Sequence, residues 1–473
     1  MNHNFISRLH KLFLKLHPFH SLIALILVIA VTAIDSRLSP LFFFLIFIIG
    51  GILVCNFFHF SLRESAKRIF LTIFSFNIII TIFIYADLNF NKGGVYFGND
   101  DEDYERYAYE ALESGFFEYV TIINYFSKKG YGDSSYYYTA LVGAMHGLVL
   151  KIGLEPHTIN PRFLNSFVMG FIGVVAWLFA HLIGLKERTS QLAGYLIGFW
   201  PLFVFHSAII RRDTVFAFLL FLSMYLFASF LDRRTKNSVV KISLFLFSVI
   251  SVCLLRYGFW AIYMFLFGIL LFIKSFDLKL STRSFLMVVI LFAGLIGSSG
   301  SDFFNQNFDR SYFELIDKYN YYVNYQSSSS SGVGASLFKL NSWISIPARL
   351  VYGSVYPPPI PQTFFSSNIR WLGTVPWFLF FGVLINICYL TIRKNFLYSF
   401  NLKVLVYSFL TFYLVINLIS FTETQQLMYF PFAIVIILYG IEKNWEKTKS
   451  LINVNFLIGL FFTLLYAGLK VIS

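Results

Sequence analysis

The sequence predicts an all-α, polytopic integral membrane bundle of about thirteen transmembrane helices, with amphipathic surface helices in two outer loops. Three observations carry that prediction. Hydrophobic residues make up 57% of the 473 residues, charged residues only 13%, and the mean hydropathy is +0.69. A soluble domain does not carry so apolar a composition. The apolar residues gather into runs near the length of roughly 20 residues that a hydrocarbon core about 30 Å thick requires. The basic residues sort onto alternate connections between those runs.

Residues 1–86 form an N-terminal segment with Arg8, Lys11 and Lys15, followed by spans near 21–34, 40–58 and 69–86. No small-residue cleavage site follows the first run, so it reads as part of a retained hairpin and not a removable signal. Residues 87–162 form an acidic outer loop with surface helices. Residues 163–299 hold a six-helix core with spans at 163–184, 190–208, 213–231, 240–255, 258–273 and 284–299. A second outer loop, 300–370, contains a helix over 310–322, the serine run Ser327 to Ser331 and the proline-rich Pro357 to Pro361. Serine flexibility followed by proline stiffness suits either a loop that orders over a ligand or a plain linker. Residues 371–473 supply four spans, at 371–392, 402–421, 427–441 and 451–469.

Charge sets the orientation. With the N-terminus cytoplasmic, alternation places 59–68, 185–189, 232–241, 274–283, 393–403 and 442–450 on the same side. With the N-terminal stretch, those segments hold 21 of the 37 Lys and Arg but 6 of the 24 Asp and Glu, as the positive-inside rule expects. Residues 139–154 are apolar enough to span. Making them do so would invert everything downstream and put Arg233, Arg234 and Lys236 outside, so they read as a helix on the outer surface.

The net charge of +13 is spread through short loops that would face anionic lipid headgroups, and it does not indicate nucleic-acid binding. Cys55, Cys253 and Cys388 fall inside spans without pairing or metal spacing and read as small apolar residues. There is no internal repeat and no phosphate-cradling glycine loop. Energy for any reaction must arrive with the substrate.

Seven of the 24 acidic residues lie in the sixteen positions 98–113. Tyr104, Tyr107, Ala108, Ala111 and Leu112 recur at helical spacing there, with Glu105, Arg106, Glu110 and Glu113 on the other faces, which predicts an amphipathic surface helix. Asp100 and Asp101 at its start are the candidate catalytic pair. A carboxylate can take the proton from an accepting hydroxyl while a lipid phosphate leaves. They can equally cap the helix and complement its dipole. The pair could also hold a divalent metal, which nothing else in the sequence asks for.

Arg211, Arg212 and Asp213 close the outer end of the fifth span, either as a phosphate clamp or as an interfacial anchor. Arg162 opens the fourth span. Arg256 interrupts a long apolar run, either reaching toward an anionic headgroup or marking a turn between two short spans. Arg349 flanks the proline-rich stretch. His146 and His181 sit on apolar faces and read as packed histidines, and no spacing reads as a structural zinc site.

The order of these features resembles the C superfamily of glycosyltransferases, polytopic enzymes that include protein O-mannosyltransferases and aminoarabinose transferases. The resemblance implies an inverting transfer from a polyprenyl-phosphate or diphosphate sugar at the outer face of a bacterial inner membrane, in polysaccharide or lipopolysaccharide assembly. It sets Asp100 and Asp101 at the acidic pair, Arg162 at the basic residue of the next span, and Arg211 to Asp213 at the second charged turn. Gln425 to Pro431 is similar to the family's approach to a late helix, with Met428 where arginine is usual, and two extra spans precede the acidic loop. The runner-up is an O-antigen polymerase of the Wzy type, with which the chain shares an Arg-x10-Gly spacing at Arg162 and Gly173. A polysaccharide flippase is the third reading. The implied partners are a polyprenyl-linked glycan and membrane lipid, with oligomeric state left open.

Overall fold

The computed structural model describes residues 19–113, 136–232, 239–256, 259–278, 342–353, 368–369, 372–393, 398–419 and 426–472. The expected span at 284–299, the helix over 310–322 and the serine and proline runs lie outside them. Among the described residues there are sixteen helices of seven or more residues and no strand.

In chain order these are α1 (Phe19–Ile34), α2 (Ser39–Asn56), α3 (Phe60–Lys92), α4 (Asn99–Glu113), α5 (Tyr136–Lys151) and α6 (Asn160–Leu182). Then come α7 (Glu187–Gly198), α8 (Pro201–Ser207), α9 (Asp213–Leu231), α10 (Val239–Leu255) and α11 (Phe259–Leu278). The last five are α12 (Ser342–Gly353), α13 (Thr374–Arg393), α14 (Phe400–Ile419), α15 (Phe430–Lys443) and α16 (Trp445–Ile472).

Six helices are long and apolar enough to cross a membrane: α2, α3, α6, α9, α13 and α14, with shorter apolar helices at Phe19–Ile34, Val239–Leu255 and Ile262–Lys274. The helical, membrane-spanning character is as expected, whereas the described residues give six such helices and not the expected thirteen.

Helix α6 is the axis of the bundle. Its apolar stretch is 89% buried, against 33% for α2, and it packs against α3, α7 and α9. The α6 and α7 backbones meet at glycine: a Cβ on Gly194 would lie 2.6 Å from the Gly173 carbonyl oxygen, the close approach that small residues allow between membrane helices. The outer helices keep apolar side chains exposed, among them Ile49, Leu53, Leu246 and Phe247, as a lipid-facing surface requires.

The expected continuous span at 190–208 is two helices. Pro201 opens α8, and Trp200 before it is extended at ψ 123°, the conformation that a following proline favours. Asn77 of α3 bridges this break: its Nδ2 donates to the Gly198 carbonyl, and its Oδ1 accepts from the Ser207 hydroxyl.

The connections expected on one side of the membrane meet at one end of the bundle. The Lys186 N–H donates to Glu442, Lys443 Nζ donates to the Gly184 carbonyl, Asn401 Nδ2 donates to Asp232, and Lys274 lies over the Phe400 ring. At the far end of α6 and α9, the α1–α2 turn meets the segment before α6. There His157 Nε2 lies 2.6 Å from Asp35, and Arg37 pairs with Glu155 at 3.2 Å.

Candidate functional site

Helix α4 starts at Asn99 and lays Asp101, Glu105 and Ala108 against the bundle, all fully buried. This corrects the expectation that Glu105 lies on a polar outer face. Spacings of four and three residues put those three on one stripe. The groups waiting there are polar: Glu105 accepts a 2.8 Å hydrogen bond from the Tyr96 hydroxyl and lies 3.3 Å from His146 of α5. Burial, and then the Glu105 charge, raise the Tyr96 phenol above its ordinary pKa, so it stays a donor. His146 stacks on Tyr109 at 4.8 Å.

Asp101 is the anchor of the loop. One carboxylate oxygen accepts from the Phe97 N–H at 2.9 Å and lies 3.5 Å from Arg162 Nη2, and the other accepts from the Ile210 N–H. Asp100 precedes it in the first turn of α4, and its side chain lies outside the described residues.

Arg162 enters α6 behind Pro161. A cation at a helix N-terminus opposes the helix dipole, so its place there has another cause. It is fully buried, its Nη2 donates to the Val95 carbonyl, and its guanidinium lies 5.5 Å over the Tyr85 ring. Its Nε and Nη1 have no hydrogen-bond partner.

One turn further, Asn165 fixes the second charged turn. Its Nδ2 donates to the carbonyls of Ile209 at 2.8 Å and Arg211 at 3.1 Å, while its Oδ1 accepts from the Tyr138 hydroxyl of α5 at 3.2 Å. Arg211 and Arg212 follow, both half-buried, with Arg212 Nη1 donating to the Leu255 carbonyl at 3.4 Å. Asp213 opens α9 and forms an ion pair with Arg256. The Arg212 and Arg211 guanidinium groups add to the positive field around it.

Arg256 lies where the sequence placed a turn, and its charge is taken up by Asp213. It sits in the turn between α10 and α11, and its guanidinium reaches into the cluster, 5.1 Å over the Phe216 ring. Its Nε has no hydrogen-bond partner. Arg349 is set elsewhere, buried on α12, where its Nε donates to the Ser345 carbonyl at 3.4 Å and the helix packs on α14 through Tyr413 and the Leu350 carbonyl. His181 is half-exposed, 3.6 Å from Glu187. Among the described residues no group of three or more His, Cys, Asp or Glu is placed to hold a metal ion.

The structure thus brings Asp101, Arg162, Arg211, Arg212, Asp213 and Arg256 to one end of the bundle and adds Glu105, His146, Tyr138 and Asn165. Asn165 carried no sequence signal, because neutral polar residues in apolar helices are common, and Tyr138, which the sequence offers with Tyr136 and Tyr137 as a ring to stack on sugar faces, instead braces Asn165 through its hydroxyl. Glu105 could have been found from its spacing to Asp101. Comparison with protein-family models, curated proteins and solved structures finds no match. Fold and site together define a helical protein with membrane-spanning character and a buried charged cluster at one end.

Proposed function

We propose that this protein is a membrane glycosyltransferase that binds a polyprenyl-(di)phosphate-linked glycan at the charged cluster and transfers sugar from it at the outer face of a bacterial inner membrane. One observation carries the reading. Arg162 and Arg256 keep buried N–H donors that no described residue takes up, inside a cluster of four guanidinium groups, Arg162, Arg211, Arg212 and Arg256, against the three described carboxylates Asp101, Glu105 and Asp213. Buried donors are normally satisfied, and arginine matches phosphate oxygens in geometry and charge. A phosphate or diphosphate would supply both the acceptors and the missing negative charge.

In this reading Asp101 positions the loop, since its oxygens are already engaged and closed to solvent. Asp100, next to it on the first turn of α4, is the base. It takes the proton of the acceptor hydroxyl as that oxygen bonds to the anomeric carbon. The anomeric bond to the phosphate oxygen breaks, and the electron pair leaves on the lipid phosphate, whose charge the arginines stabilise.

The test is a deletion strain complemented with Arg212→Gln or Asp100→Asn, with cell-surface glycans resolved on a gel. A transferase of single sugars gives a small uniform band shift, and collapse of a ladder to one repeat indicates transfer of whole repeat units, the polymerase reading. An unchanged profile in both variants at normal protein levels removes the proposal.

A further inference from the structure

A second cluster lies between α13, α14 and α15, and it is uncharged. Trp377, Asn417, Gln426 and Tyr429 are all buried, at 0 or 1% exposure. The Trp377 Nε1, the Asn417 Oδ1 and both amide atoms of Gln426 have no hydrogen-bond partner among the described residues, while the Tyr429 hydroxyl is hydrogen-bonded by Asn417. The groups are neighbours: the Trp377 and Tyr429 rings are 6.2 Å apart, Tyr429 lies 5.2 Å from Tyr413, and Asn417 Nδ2 is held by the Tyr413 carbonyl at 2.8 Å. The backbone carbonyl of Gln426 accepts from the Tyr429 N–H, so the two side chains leave one turn.

Four buried polar atoms without partners in one place are too many to leave as defects. Their chemistry narrows the ligand. No cation or carboxylate is among them, so an anion has no counterpart. Trp377 only donates, Asn417 Oδ1 only accepts, and the Gln426 amide does both. A group that donates and accepts at several adjacent points is a set of hydroxyls. The site also lies at the end where the charged cluster lies. The first residues of α14 and the last of α15 sit at the opposite end, with Asp232 and Lys186, which leaves Asn417 and Gln426 on the side of the Arg211 turn.

We propose that Trp377, Asn417, Gln426 and Tyr429 form a second binding site that holds a neutral sugar ring of the glycan. Naming the ligand a sugar rests on the function proposed above, whereas the unpaired donors and acceptors stand independently of it.

The experiment uses the full-length protein purified from its native host in mild detergent. Bound carbohydrate is released by acid hydrolysis and measured per mole of protein, for wild type, Gln426→Leu and Asn417→Leu. Wild type is expected to carry sugar near one chain per protein, and each variant at least about tenfold less, with thermal melting unchanged or higher because a stranded amide has been removed. Equal sugar in wild type and variants, or sugar in neither, overturns the proposal. Should Gln426→Leu fail to fold, Asn417→Leu or Trp377→Phe gives the same reading. A surface-glycan profile altered by Arg212→Gln without Gln426-dependent sugar removes only the second site. Gln426-dependent sugar with an unaltered profile removes only the transferase reading.

Discussion

The carboxylate of Asp101 accepts the backbone N–H of Ile210, 109 residues further along the chain, and lies beside the Arg162 guanidinium. A single side chain thus joins the acidic loop, the axial helix and the second charged turn.

Asp101→Ala is expected to lower stability by about 3–5 kcal/mol, because it strands the buried Arg162 charge and two backbone donors at once. Thermal melting in detergent reads this. Asp101→Asn, which keeps an acceptor, should fall between wild type and alanine, and an alanine variant that melts like wild type contradicts the anchoring role.

The Asp213–Arg256 pair makes a different prediction. Each single apolar replacement, Asp213→Leu or Arg256→Met, leaves a buried charge unpaired and should cost roughly 3–5 kcal/mol, while the double replacement should recover a large part of the loss. Strictly additive losses in the double variant would show that the two charges do not interact.

His157 predicts a pH dependence. It is 2% exposed, and its Nδ1 accepts from the Ile159 N–H while its Nε2 faces Asp35. That arrangement describes a neutral imidazole protonated at Nε2. Burial lowers its pKa below the ordinary value of 6.5 and outweighs the opposing effect of Asp35. The unfolded chain therefore binds the proton more readily than the folded one. Stability from this group is complete above pH 6.5 and declines as pH falls through the folded pKa. Melting followed from pH 7.5 to 5 should show a steeper decline for wild type than for His157→Gln, and parallel curves would contradict it.

Gly194→Ala forces a methyl group against the Gly173 carbonyl oxygen. A cost of about 1–3 kcal/mol is expected, larger for Gly194→Val, measured by thermal melting. Ala193→Gly, one residue away, serves as the control for a change in helix propensity alone.

Much of this architecture was legible beforehand. Apolar runs located α2, α6, α9, α13 and α14 to within a few residues, and the basic connections foretold that Lys186, Asp232, Phe400 and Glu442 would gather at one end. The break at Trp200 was missed although Pro201 was visible, because the apolar run continues through it and hydropathy does not register the loss of a backbone donor. Charged members of the site stood out because membrane segments rarely carry them. Asn165, Asn417 and Gln426 did not, because an amide within a span has the same composition whether it braces a turn or faces a ligand.

The amide of Asn77 clasps both halves of the divided segment, one across the Gly198 carbonyl and one at Ser207. A proline interruption so braced is an elbow set at a fixed angle. The turn that carries Arg211 and Arg212 follows directly on this elbow, so the placement of those two guanidinium groups depends on an amide that belongs to another helix.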